Sequence, residues 1–179
     1  TWPAMKQGLE YQIPLVDSLS KAGAIDVLTL SEAGKWFKEN YPLTPATSVV
    51  ALEDIKPAGR KSVWFDSRFY RANLVWEDST LRFRDIHMFD ERMESPYVKY
   101  QGTSTQCLYK TLPVVDGFNW STASQVAGLR LVRMEGDSLI PVLVGAPQVE
   151  QTAQGELTVE TPILEGGACR IVFNEDSIR

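Results

Sequence analysis

After Pro42 and Pro45 the apolar residues of this 179-residue chain stop recurring every three or four positions and begin to alternate, and that change of period decides what the chain can build. A period near 3.6 gathers apolar side chains on one stripe of a helix, whereas a period of 2 gathers them on one face of a strand. Proline disfavours the α conformation in the residue before it, so residues 42–46 form the expected boundary. The chain divides there into an α/β lead-in, 1–45, and a β domain, 46–179.

In the lead-in, residues 14–22 place Leu15, Val16 and Leu19 on one helical face, with Pro14 in the tolerant first turn and Gly23 as the stop. Residues 24–28 read as a strand. Thr29-Leu30-Ser31-Glu32 offers a capping box or a serine cap to a second helix carrying Ala33, Trp36, Phe37 and Tyr41. One strand with two short helices cannot cover both of its own faces, so this segment is expected to pack on the β domain or on a preceding domain of a parent chain. A first residue of Thr1 with no leader fits a processed mature chain or a piece of something longer.

Beyond the boundary, strands are expected at 48–52, 62–66, 69–76, 81–86, 105–111, 126–133, 139–144, 156–161 and 168–173. Short strands broken by Gly, Pro, Asp and Asn turns give a mainly β fold, an antiparallel β-sandwich with a small N-terminal α/β segment. The firmest unit is the hairpin 69–86. Glu77-Asp78-Ser79 supplies its polar loop, and Leu81 and Phe83 alternate with Arg82 and Arg84 to give one apolar face and one exposed basic stripe.

A net charge of −5, with no dense basic run, argues against a nucleic-acid partner. No apolar run approaches the roughly 20 residues of a membrane helix, which argues against a membrane partner. Cys107 and Cys169 both lie in apolar, strand-like runs and read as buried free thiols rather than a disulfide. Glycine-rich phosphate loops and nucleophile elbows are absent, and Asn119-Trp120-Ser121 matches a glycosylation sequon that by itself decides nothing.

Chemistry-bearing residues concentrate in 62–91. His87 is the sole histidine, flanked by Asp85, Asp90 and Glu91, and Asp85 with His87 would share a strand face. A carboxylate that orients an imidazole suits general acid/base work, so His87, Asp85 and Glu91 are the catalytic candidates. The plain alternative is a hydrogen-bonded structural histidine. One histidine without paired cysteines is a poor ligand set, so no metal and no cofactor is expected. Trp64, Tyr70 and Trp76, with Asp66 and Arg71 to hydrogen-bond around them, are the candidate ligand-binding residues, because polar-edged aromatics stack on sugar rings. The same aromatics also read as sandwich core, with the arginines paired to acids across strands. Asp66, Asp85, Asp90, Glu91 and Glu94 are numerous enough for the facing carboxylates of a glycosidase, with no separations to test.

LSKAGAIDVLTLSEAGKWFKENYP resembles the closing strand and helix of a polysaccharide-deacetylase-like barrel, over about residues 10–42. SVWFDSRFYRANLVWEDSTLRFRDIHMFDE is similar to accessory sandwich regions of bacterial carbohydrate-active proteins, of the galactose-mutarotase-like supersandwich type, a likeness covering most of 46–179. The resemblance implies a carbohydrate partner and a periplasmic or secreted setting. It does not imply deacetylation, because one histidine cannot supply the paired histidines of that metal centre. Mutarotase-like catalysis would need a histidine acid and a glutamate base, of which His87 matches only the first. The expectation is an accessory structural or carbohydrate-binding region of a larger carbohydrate-processing protein. Its alternatives are a sugar-active enzyme built on His87 and an interaction module docking through the hairpin edge.

Overall fold

The computed structural model describes residues 2–54, 58–90, 92–105 and 111–179, and divides into a helical unit, 1–43, and a β unit, 44–179. The helical unit holds α1 (Trp2–Lys21) and α2 (Leu30–Asn40). Helix α1 begins twelve residues before Pro14, which therefore sits in its interior rather than in its first turn. Trp2, Met5, Leu9, Val16 and Leu19 recur at helical spacing along it, so the amphipathic pattern overrides one missing backbone donor. Its end is a Schellman motif. Gly23, at φ +68°, donates to the Ser20 carbonyl at 3.0 Å, and Ala24 donates to the Leu19 carbonyl at 2.9 Å. Residues 24–28 are irregular rather than a strand, with no ladder for them to join among the described residues of this unit. Helix α2 opens on the capping box: Thr29 Oγ1 accepts from the Glu32 amide while the Glu32 carboxylate accepts from the Thr29 amide.

The β unit makes the protein mainly β. Eleven strands are found among the described residues, every ladder antiparallel. The large sheet runs β1 (Thr47–Ala51), β2 (Lys61–Asp66), β3 (Tyr70–Glu77), β4 (Thr80–Met88) and β5 (Leu112–Asp116), with β6 (Leu129–Arg130) also pairing β4. Strands β7 (Val132–Glu135) and β8 (Ser138–Pro141) form a separate ribbon, and β9 (Gln148–Gln151), β10 (Leu157–Pro162) and β11 (Ala168–Phe173) form a three-stranded sheet. Of the expected strand 105–111, residues 106–110, Cys107 among them, lie outside the described residues. The strand found there begins at Leu112 and carries Pro113. Strand β9 has a single apolar residue, Val149, so its alternation is invisible in the sequence.

Alternation explains how the two sheets pack. Val63 and Phe65 of β2, and Tyr70, Ala72, Leu74 and Trp76 of β3, point to one side and meet Leu157, Val159, Ile171 and Phe173 of β10 and β11. Phe173 stacks on Phe65 with centroids 5.4 Å apart and meets Phe83 edge-on at 6.2 Å. Two polar tips cross the interface: Trp76 Nε1 donates to Thr161 Oγ1 at 3.0 Å, and the Tyr70 hydroxyl donates to the Asn174 carbonyl at 2.7 Å. Cys169 packs against this core as a free thiol that burial pushes up in pKa.

The β3–β4 hairpin turns on two residues, Asp78 and Ser79, both left-handed at φ 50° and 57°. Such a pair forms the turn whose twist suits a hairpin, and it strains an L side chain at the second position. Ser79→Gly keeps the Ser79 carbonyl that accepts from the Val144 amide at 2.8 Å. The variant is expected to be more stable by about 1 kcal/mol, raising Tm by roughly 3 °C in a thermal melt.

Candidate functional site

One extra residue in β4 sorts the hairpin's polar side chains. Asn73 pairs with Asp85 and Leu74 with Phe83, which leaves Arg84 as a β-bulge. On a regular strand residues 81, 83, 85 and 87 would all face the core. With the bulge, Phe83 and Ile86 pack on the core while Asp85 and His87 turn to the opposite face of the sheet. A second irregularity pairs Ile86 with Val115 and His87 with Pro113, and sets Asp116 of β5 directly opposite Asp85.

Three titratable groups converge there. Asp85 is fully buried, and His87 and Asp116 are nearly so. His87 Nε2 lies 3.1 Å from Asp85 Oδ1 and 3.6 Å from Asp116 Oδ2. Each group is fixed from behind. Arg71 Nε donates to Asp85 Oδ2 at 2.8 Å, and His87 Nδ1 meets Thr111 Oγ1 at 2.6 Å. The Phe118 and Asn119 amides donate to Asp116 Oδ1 at 3.1 and 2.9 Å, and Asn119 Nδ2 donates to Oδ2 at 2.6 Å. Asp85 Oδ1 and His87 Nε2 are left buried with no hydrogen-bond partner among the described residues. Close as Nε2 is to the carboxylates, it makes a hydrogen bond to neither: Asp116 Oδ2 is too far, and the 3.1 Å contact with Asp85 Oδ1 is not a hydrogen bond.

The electrostatics are lopsided. Burial pushes the Asp116 carboxyl up, but the Asn119 and Phe118 hydrogen bonds and the nearby imidazole outweigh it and hold the group below its usual range. Asp66, on the same face at the end of β2, is raised chiefly by burial, with Arg71 lowering it and Asp85 raising it further. Arg71 is the one guanidinium hydrogen-bonded to the pair Asp85 and Asp116 among the described residues. Arg84 is held below its usual range by burial and by Arg82, and its guanidinium lies 5.5 Å from the Trp64 ring and 4.7 Å from Phe118. Gly117 is required by close approach: its amide donates to the Arg84 carbonyl at 2.7 Å, and a Cβ there would fall 2.4 Å from that oxygen.

The sequence candidates separate accordingly. Asp85, His87, Trp64, Asp66 and Arg71 share the outer face, whereas Tyr70 and Trp76 are core residues 5% and 4% exposed, with their polar tips already bonded. Their even numbering on β3 puts them with Ala72 and Leu74, which corrects their assignment to ligand binding. Glu91 lies outside the described residues. Asp90 is bound by Arg92, which lowers its carboxyl to about 2, and Glu94 pairs with Lys99, so neither joins the cluster. The expected basic stripe is also corrected: Arg82 donates to the Ala127 carbonyl at 3.0 Å beside β6, and Arg84 is the bulge. Asp116, Thr111 and Asn119 join the cluster only in the folded structure. Asp116-Gly117 signals a turn, but only strand pairing reveals that it faces Asp85. The sequon amide of Asn119 is engaged with Asp116.

Compared with known proteins, the chain matches no family model, no curated protein and no solved structure. No helix among the described residues is long and apolar enough to cross a membrane.

Removing the half-buried arginine of this ion pair strands the fully buried Asp85 carboxylate. Arg71→Leu is expected to destabilise the β unit by about 3 kcal/mol in urea unfolding, with Asp85→Asn in the same background restoring most of the loss.

Proposed function

We propose that the β unit is an accessory carbohydrate-binding sandwich, of the kind found in larger carbohydrate-processing proteins, and that it binds through the outer face of its large sheet. The observation that carries this reading is the segregation of the hairpin by face, with stability-bearing aromatics inside and a polar, aromatic-edged surface outside. Trp64, partly exposed, stands beside Asp66 and within reach of Arg84, and Phe118, 60% exposed, flanks the same guanidinium. Rings of this kind offer apolar faces to the C–H side of a sugar, while Asp66 and Arg71 offer an acceptor and donors to its hydroxyls. The alternative of a sugar-active acid/base centre at His87 is less favoured. Its imidazole is only 6% exposed and the adjoining Asp85 is fully buried, so a substrate proton has no open approach to Nε2.

Glycan-array screening followed by calorimetry on the full chain tests the reading. Trp64→Ala and Phe118→Ala are each expected to weaken a detected glycan at least tenfold, about 1.4 kcal/mol, while leaving the fold intact by circular dichroism. Absence of any glycan ligand, or an affinity indifferent to both substitutions, would contradict it.

A further inference from the structure

We infer that Asp85 Oδ1, His87 Nε2 and Asp116 Oδ2 form a binding site for one divalent first-row transition-metal ion, with Zn²⁺ and Mn²⁺ the best-fitting cases. The inference is independent of the carbohydrate reading. Its first support is convergence: one ligand atom from each of three buried residues, all within 4.8 Å of one another. Metal–ligand bonds of about 2.1 Å place neighbouring ligand atoms roughly 3.0 to 3.4 Å apart. The two histidine–carboxylate separations, 3.1 and 3.6 Å, are close to that, while the two carboxylate oxygens, within 4.8 Å of each other, draw together on the ion.

The second support is the pair of orphaned atoms. Asp85 Oδ1 and His87 Nε2 are buried without a hydrogen-bond partner among the described residues, and both belong to the convergent set. A buried polar atom left unsatisfied costs roughly 1–3 kcal/mol, and these two lie 3.1 Å apart beside Asp116, where one ion reaches both. Nε2 makes a hydrogen bond to neither carboxylate: Asp116 Oδ2 is 3.6 Å away, and the 3.1 Å contact with Asp85 Oδ1 is not a hydrogen bond. A cation shared by all three atoms satisfies both.

The third support is the outer layer, built as metal sites require. A ligating histidine donates its other ring N–H to a fixed acceptor, and Thr111 Oγ1 stands 2.6 Å from Nδ1. The carboxylates are likewise oriented from behind, Asp85 through Oδ2 by Arg71 and Asp116 by Asn119 and the Phe118 amide. Arg71 is the one guanidinium hydrogen-bonded to the two buried carboxylates among the described residues, with Arg84 acting on Asp85 through its charge alone, so a divalent ion is electrostatically accommodated. An imidazole among the ligands favours a transition ion over Mg²⁺ or Ca²⁺, which prefer oxygen alone. Three protein ligands leave a further coordination position for a water molecule.

The test is calorimetric titration of the untagged chain, stripped with chelator, with Zn²⁺, Mn²⁺ and Mg²⁺, paired with Mn²⁺ electron paramagnetic resonance. One Zn²⁺ or Mn²⁺ per chain is expected to bind more tightly than Mg²⁺ and to raise Tm. His87→Ala and Asp116→Asn should each weaken binding at least tenfold, and Thr111→Val, which touches only Nδ1, about tenfold. Should the buried substitutions unfold the protein, Co²⁺ added to the wild type gives the decisive reading: visible absorption of a nitrogen- and oxygen-ligated ion supports the site. No binding at millimolar Zn²⁺ and Mn²⁺, tighter binding of Mg²⁺, a featureless Co²⁺ spectrum, or affinity unchanged in folded His87→Ala would overturn the inference.

Discussion

The bulge at Arg84 is the constraint on which the rest of the β unit depends. It lets one strand serve two purposes in sequence: its first half delivers Leu81 and Phe83 to the core, and its second half turns Asp85 and His87 away while Ile86 keeps the core sealed. Without the extra residue the alternation would drive a carboxylate and an imidazole into the layer occupied by Phe173 and Leu157, where an unpaired charge is costly. The bulge is itself held in place. Gly117 has no side chain to obstruct its amide from the Arg84 carbonyl, and the Arg84 guanidinium lies near the Trp64 and Phe118 rings.

The two faces of the large sheet follow different physical rules. The inner face is closed by area: Phe65, Leu74, Leu157, Val159 and Phe173 are essentially inaccessible, and the polar tips among them are bonded across the interface. The outer face is closed by hydrogen bonds, through Arg71, Thr111 and Asn119, with Asp85 Oδ1 and His87 Nε2 left unsatisfied side by side.

Much of the fold was legible in the sequence. The alternation of 62–66 and 69–76, the hairpin turn and the capping box at Thr29 each follow from residue type and spacing, because each is a local matter of period or hydrogen bonding. What escaped was non-local. Strand β9 is nearly all polar, α1 runs through its proline, and residues 24–28 form no strand because a strand needs a partner that spacing cannot reveal. The site was half legible. Asp85 and His87 are neighbours in sequence, but Asp116 meets them only through the β4–β5 ladder, and Thr111 and Asn119 arrive with it. Tyr70 and Trp76 show the opposite failure, since a cluster of aromatics in sequence is divided between two faces by a period of 2.

The central claim, that the bulge turns His87 out of the core and toward Thr111 and Asp116, is open to a direct measurement because the chain has a single histidine. In a histidine-labelled sample, nuclear Overhauser contacts from the His87 ring should reach the Thr111 methyl and the Asn119 side chain, with none to the methyls of Leu157 and Val159 or to the Phe173 ring. Contacts from the imidazole to those core groups would contradict the account.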